Sequence, residues 1–460
     1  MAQLTAEELG GFVEEVTGRP VLELRRVPGG GRRQGFEARL AGEGGSGDRC
    51  FLRYDPTPLT PWDPYSLGRE ADVYRALAGT DVPVARVLGV HPHAQAVLLT
   101  HEPGVAQFSA VADDAIRVAL QDQLADVLVA LHAIDPRSLD LGSLGDVCGI
   151  REHLDRELGI WEGLYAHDAE ADPLLSCAFR WLRDDAPGED GRPSLVQGDT
   201  GPGNFLHEHG RITAIVDWEF AHLGDPAEDL AWVSTRSVQE PLPDFARFVR
   251  TYRARSGRAV APARIRYYRV FVELRIAVLG ARRRAEQPAG GEVGNGLAFG
   301  HLHRKLLIES LGAATGVALA PLDEPGPPED VDDWLYREAL DQLRDVILPA
   351  VDDPFVRLRV KGLARLVKHF RATARWRDTN RERTLADYAA LLRVAPGDLG
   401  DPGDLGELRH ELDRRLRGGE VTVREALPLL AREVQREVAQ AADVMGVLAR
   451  RSFDPIDNEE

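Results

Sequence analysis

The first hundred residues read as strands and turns. Apolar and polar positions alternate from Val21 to Leu40 around Gly29, Gly30 and Gly31, which predicts two strands joined by a glycine-rich turn. A third strand is expected at Cys50–Tyr54, stopped by Pro56 and Pro58, and a fourth at Ala96–Leu99, ending before Pro103 and Gly104. Between them, Leu67 to Leu77 carries helical spacing with Glu70 near its start. From Asp113 to Ile134 the apolar positions Ile116, Leu120, Leu124, Val127, Leu128 and Leu131 recur at threes and fours, so a long amphipathic helix opens the next region. Leu195–Val196 and Thr213–Val216 are short apolar runs that predict buried strands, and helical patterns run over 244–255 and 263–284.

Residues 316–330 are rich in proline and acid, a linker composition that predicts a domain boundary. Beyond it, Leu335, Leu340, Leu343 and Ile347 make a helical stripe that stops at Pro349, and 356–374 forms a second candidate helix. Thr422-Val423-Arg424-Glu425 has the form of a capping box opening a final helix, with Pro428 weakening its start. The tail reads as all-helical, amphipathic and without a constellation of catalytic residues, which suggests a docking or dimerisation surface.

Composition narrows the classes. A net charge of −18 over 460 residues argues against nucleic acid as partner. The three cysteines, Cys50, Cys148 and Cys177, are widely spaced and form no CxxC, so neither a disulfide framework nor a zinc site is indicated, and a reducing cytoplasm fits. No export signal or membrane span is expected. Lysine occurs only at Lys305, Lys361 and Lys368, so a site needing a cation in the first 304 residues must use arginine.

The chemistry concentrates in Gln197-Gly198-Asp199-Thr200-Gly201-Pro202-Gly203-Asn204, followed by Asp217-Trp218-Glu219. Phosphoryl transfer needs a group that orients a hydroxyl and accepts its proton, and oxygen ligands that hold Mg²⁺ against nucleotide phosphates. Asp199 suits the first role, and Asn204 and Asp217 suffice for the second.

Gly-Asp-x-x-x-x-Asn followed by a strand and Asp-Trp-Glu resembles the catalytic and metal loops of aminoglycoside phosphotransferase-like kinases. The continuation from Asp217 to Trp232 is similar to the branch fused to, or encoded with, acyl-CoA dehydrogenases. The resemblance covers residues 8–311 and implies an α+β, two-lobed protein-kinase-like fold. A small antiparallel-sheet lobe (1–103) and a mostly helical lobe (104–315) are expected, then the linker and an all-α domain of unknown function (331–460). It implies Asp199 as catalytic base, Asn204 and Asp217 as magnesium ligands, and Arg53 where a phosphate-pairing lysine usually stands, with Glu70 as its partner. Nucleotide contacts are further implied at Gly29, Gly30, Gly31, Thr100 and His101. Gln197 stands where the family usually has a loop-bracing histidine, and a glutamine amide can make similar bonds.

The expected activity is ATP- and Mg²⁺-dependent phosphorylation of a hydroxyl on a small acceptor, with a hydroxyacyl-CoA favoured by the branch resemblance and an acyl-CoA dehydrogenase-type protein as partner. The alternatives are a nucleotide-binding pseudokinase that docks a partner enzyme through its tail, and an antibiotic kinase. Homo-oligomerisation is a further expectation. Asp225 and Asp229 read as a helix cap and a loop brace, and Phe245, Phe248, Tyr252, Tyr267, Tyr268 and Phe271 as core. Arg275 with Arg282, Arg283 and Arg284 reads as a solvated basic face, and His91, His93, His101, His207 and His209 as surface or loop residues.

Overall fold

The structure is a computed structural model that describes residues 3–27, 33–42, 49–57, 63–168, 171–286, 293–327, 330–394 and 405–457. Its elements in chain order are α1 (Ala6–Thr17), β1 (Val21–Val27), β2 (Gln34–Leu40), β3 (Arg49–Tyr54), α2 (Leu67–Leu77), β4 (Val87–Val90), β5 (Ala96–Thr100) and α3 (Asp114–Ala133). Then follow α4 (Ile150–Asp168), α5 (Pro173–Asp184), β6 (Ser194–Val196), β7 (Phe205–Glu208), β8 (Arg211–Ile215), β9 (His222–Gly224), α6 (Pro226–Gln239) and α7 (Phe245–Ser256). The last helices are α8 (Pro262–Glu286), α9 (Val293–Thr315), α10 (Asp333–Asp341), α11 (Pro354–Leu392), α12 (Leu405–Gly418) and α13 (Val423–Met445).

The chain divides into two compact units, one of residues 1–160, 188–265 and 453–460, the other of 161–187 and 266–452. In the first, five strands form an antiparallel sheet in the order β1-β2-β3-β5-β4. The alternation read from Val21 to Leu40 becomes β1 and β2, paired from Val21↔Leu40 to Val27↔Gly35. Arg53 on β3 lies opposite Val97 on β5, in the middle of the sheet. Phe36, Ala38, Leu52 and Leu98 bury one side of the sheet with Phe12 and Val13 of α1. Helix α1 begins at a capping box in which Thr5 and Glu8 satisfy each other's backbone N–H groups, and it ends at Gly18. Helix α2 buries Glu70 along with Ala71, Val73, Tyr74 and Leu77. In the helical part of this unit, the pairs β6–β9 and β7–β8 carry the loops that hold the polar constellation.

The second unit is helical. Asp353 caps α11 by accepting from the Val356 N–H, and Thr422 and Glu425 form the capping box expected at α13, which runs on through Pro428. Its core is laced by arginines, because few other cations are available in this chain. Arg304 bonds to Glu437 at 2.7 Å and also to Asp172, and Arg436 joins Glu324 at 2.6 Å to Asp387 at 2.7 Å. Glu324 lies in the proline- and acid-rich segment, which forms no helix or strand among its described residues yet is pinned to α11 and α13 by these bonds.

Two expectations are corrected here. Arg275 belongs to no solvated face: it is buried with its guanidinium 4.9 Å from the centre of the Trp161 ring, where cation–π attraction replaces part of its lost hydration. The side chains of Arg283 and Arg284 lie outside the described residues. His207 is not a surface residue but is buried on β7. The aromatic positions from Phe245 to Phe271 are all core, as their spacing indicated.

Candidate active site

The stretch between β6 and β7 is shaped by glycine and by one buried carboxylate. Gly198 adopts φ 77°, and a Cβ there would stand 2.4 Å from the Phe220 carbonyl oxygen, so only glycine lets the loop pass this close to the turn after β8. Asp229, in the first turn of α6 and fully buried, accepts from the backbone N–H groups of Gln197 and Gly198 at 3.0 Å each and from the Thr200 hydroxyl at 2.7 Å. His132 of α3 pairs with the same carboxylate at 2.9 Å. Burial opposes the Asp229 charge, but these hydrogen bonds outweigh it and hold the carboxyl below its ordinary range. Asp225 is the N-cap of α6, accepting from Ala227 N–H. Both aspartates therefore have the bracing and capping roles that their sequence context suggested.

Gln197 ties the two loops together. Its Oε1 accepts from the Asp199 N–H at 3.0 Å, and its Nε2 donates to the carbonyls of Val216 at 3.0 Å and Asp217 at 2.6 Å. An amide thus links the backbones of the 197–204 and 216–219 loops by offering a donor and an acceptor at once.

Asp199 is 6% exposed, and its carboxylate accepts from Asn204 Nδ2 at 2.7 Å. Arg236, one turn from the end of α6, takes both of its oxygens, through Nε at 2.8 Å and through Nη2. Burial pushes the Asp199 carboxyl up, and Arg236 and Asn204 offset only part of that rise. Asn204 commits its Nδ2 to the Asp199 carbonyl and carboxylate, which leaves its Oδ1 without a hydrogen-bond partner among the described residues. The Val216 N–H donates to the Asn204 carbonyl at 3.0 Å, bringing the two loops side by side. Asp217 follows in the left-handed region at φ 63°, a conformation that aspartate tolerates better than most residues.

Arg53 donates from Nη2 to Asp217 Oδ1 at 2.9 Å and sits 3.3 Å from Glu70 through Nε. Asp217 Oδ2 has no hydrogen-bond partner among the described residues. A second, unanticipated arginine joins this cluster. Arg33, buried at the start of β2, lies 2.6 Å from Glu70, 3.1 Å from Glu219 and 3.8 Å from Asp55, and donates to the Tyr65 carbonyl at 2.7 Å. Burial raises the carboxyls of Glu70 and Glu219 despite both arginines, whereas Arg53 and Arg33 overcome burial at Asp217 and lower it. Asn204 Oδ1 and Asp217 Oδ2 are hard oxygen donors held on adjacent loops, a set that fits a magnesium ion keeping most of its waters.

The structure thus brings together Asp199, Asn204, Asp217, Arg53 and Glu70. Thr100 and His101 lie at the end of β5, where the Thr100 hydroxyl donates to Glu102 at 2.6 Å and His101 is 3.9 Å from Glu37. Gly29, Gly30 and Gly31 lie outside the described residues. Sequence reasoning missed Arg33 and Arg236. The absence of lysine from this region was the available signal, since it required any cation here to be arginine without saying which one.

The chain is similar to several known proteins. Mouse acyl-CoA dehydrogenase family member 11 is 29% identical over 201 residues, which are 41% of this chain and 25% of that protein. The chicken protein of the same description is 26% identical over 243 residues, 49% of this chain and 29% of its own. The chain spans about a quarter of the length of these relatives. A crystal structure of a Ralstonia eutropha protein described as an aminoglycoside phosphotransferase aligns with TM-score 0.51 at 23% identity, over 68% of this chain and 98% of that one, a likeness of fold. The model of the phosphotransferase enzyme family matches residues 23–275, more than half of the chain and every site residue described above, and the chain belongs to that family.

Proposed function

We propose that the chain transfers the terminal phosphoryl group of ATP to a hydroxyl of a small organic acceptor. The observation that carries this reading is the convergence of Asp199, Asn204 and Asp217 with the Arg53–Glu70 pair. A bound magnesium ion would supply charge neutralisation at the nucleotide phosphates, held by Asn204 and Asp217. Arg53, braced by Glu70, offers a planar guanidinium to phosphate oxygens. Asp199 orients the acceptor hydroxyl and takes its proton. Thr100 and His101 are assigned to the nucleotide's edge of the site. The three free cysteines suit a reducing, cytoplasmic setting.

The acceptor class follows from Arg236. A hydroxyl approaching Asp199 must compete with this guanidinium, and an acceptor carrying a phosphate or carboxylate offers Arg236 a replacement partner. A polycationic drug offers it only repulsion. That favours a hydroxyacyl-CoA or related metabolite over an aminoglycoside, in keeping with the acyl-CoA dehydrogenase family relatives, and makes a dehydrogenase of that type the favoured partner.

The same contact favours a second reading. If Arg236 never releases Asp199, the chain binds nucleotide without transferring phosphate and acts as a scaffold. Incubation with Mg²⁺-ATP and a panel of hydroxylated acyl-CoAs, with an aminoglycoside as contrast, separates the two. Acceptor-dependent ADP release that Asp199→Asn abolishes is the expected result. Nucleotide binding without turnover of any acceptor would favour the scaffold.

A further inference from the structure

Among the described residues, the helical unit leaves an apolar face uncovered. Helix α10 buries none of its residues, and Trp334 is 58% exposed, with Val346 and Ile347 exposed in the turns that follow. On α11, Val356, Leu363 and Phe370 stand seven residues apart and are 44, 49 and 57% exposed. Val360, Val367 and Ala374 fall between them at alternating spacings of four and three. That is a heptad-spaced apolar seam, the pattern by which one helix packs along another. The seam runs about 27 Å along the helix.

The rest of α11 is already engaged. A Cβ on Gly294 of α9 would stand 2.1 Å from the Gly362 carbonyl, so these two helices touch backbone to backbone, and Arg365 bonds to Asn295 beside that contact. Arg371 makes a two-pronged bond to Asp333 of α10, at 2.6 and 2.9 Å. Arg365 lies on the opposite side of the helix from Val356, Leu363 and Phe370, and Gly362 on the flank between, so the packing that fixes α11 leaves its seam outward.

Charge says what covers it. Residues 330–353 hold eight carboxylates and two arginines, whereas 354–377 hold eight arginines and lysines and no carboxylate. Two of the chain's three lysines, Lys361 and Lys368, are among them. An acidic helix beside a basic one, both with exposed apolar residues, is a self-complementary surface. A two-fold axis places the basic α11 of each copy across the acidic α10 of the other, and the shared apolar face closes as a four-helix arrangement. An anionic membrane or a nucleic acid would attract α11 but be repelled by the carboxylates beside it.

We infer that this face binds a second copy of the same chain through its α10–α11 hairpin. The inference is independent of the phosphotransfer reading. Light scattering on the full chain, from micromolar to submillimolar concentration, should give twice the chain mass. Leu363→Glu with Phe370→Glu should give a single chain mass with an unchanged circular-dichroism spectrum, since both side chains are exposed. Should that variant misfold, charge reversal supplies the test. Lys361→Glu/Lys368→Glu and Asp341→Lys/Asp345→Lys should each be a single chain alone and pair when mixed. A wild-type chain that stays single throughout would overturn the inference, as would a Leu363→Glu/Phe370→Glu protein that still pairs. So would a single chain that sediments with phosphatidylserine vesicles, which would make the face a membrane contact.

Discussion

Asp199 and Arg236 form a two-pronged ion pair, and their roles can be separated by two substitutions. Asp199→Asn keeps the size and the bond to Asn204 but cannot accept a proton, so turnover should fall by about 10²- to 10⁴-fold with nucleotide binding retained. Arg236→Ala acts through Asp199 instead. Burial already raises that carboxyl and Arg236 opposes the rise, so its removal should move the acid limb of kcat/KM to higher pH, because the base must be ionised to act. A pH profile that does not move would remove Arg236 from the description of the base. Asp199, Asn204 and Asp217 were legible because a short loop, a strand and a second loop fix their spacing locally. Arg236 stands 37 positions after Asp199 on a helix of mixed composition, and Arg33 follows the glycine run at the start of a strand. Only the folded chain brings these two guanidiniums to their carboxylates.

At the scale of elements, the hub of the site is the first turn of α6. Asp229 gathers two backbone N–H groups, a hydroxyl and His132 from two segments of the chain, and all four of these residues are buried. Asp229→Ala should cost roughly 3–5 kcal/mol in urea unfolding, because the penalty is that of leaving buried donors unpaired. The same carboxyl is held low in the folded protein. Its stabilisation is therefore complete above the ordinary aspartate range and is lost as pH falls through the depressed value, an acid sensitivity that Asp229→Ala should lack. Helix α2 matched its spacing from Leu67 to Leu77 because one apolar stripe packs against the sheet. Helix α9 escaped notice for the opposite reason: Leu302, Leu306 and Leu307 are buried along with His303, Ser310 and Thr315, so burial on several sides erases the contrast that periodicity needs. Helix α1 and strand β4 were missed too, although the Thr5–Glu8 capping box was written in the sequence.

For the molecule as a whole, net charge gives the sum of the acid but not where the acid lies. Part of it is concentrated in the site, where Asp55, Glu70, Asp217 and Glu219 lie against Arg33 and Arg53, and Arg236 also acts on Asp217 and Glu219. With Asp199 counted beside Arg236, five carboxylates against three guanidiniums leave an excess of negative charge, and Asp217 adds to the burial that raises Glu70 and Glu219. A divalent cation bound at Asn204 and Asp217 would offset that excess, so nucleotide should stabilise the chain only together with Mg²⁺. At about 100 times its Kd the nucleotide should add roughly 2.7 kcal/mol to unfolding, seen as a rise in Tm. Asp217→Asn is the informative control, because asparagine tolerates the left-handed backbone at this position and alanine does not. The substitution relieves repulsion on Glu70 and Glu219 but gives up the ion pair with Arg53, so the ligand-free protein should lose part of its Tm while the magnesium-dependent rise disappears. A rise that survives Asp217→Asn would place the metal's charge elsewhere in the cluster, with Glu219 as the next carboxylate to replace. A rise of equal size without Mg²⁺ would mean that Arg53 and Arg33 alone meet the phosphates.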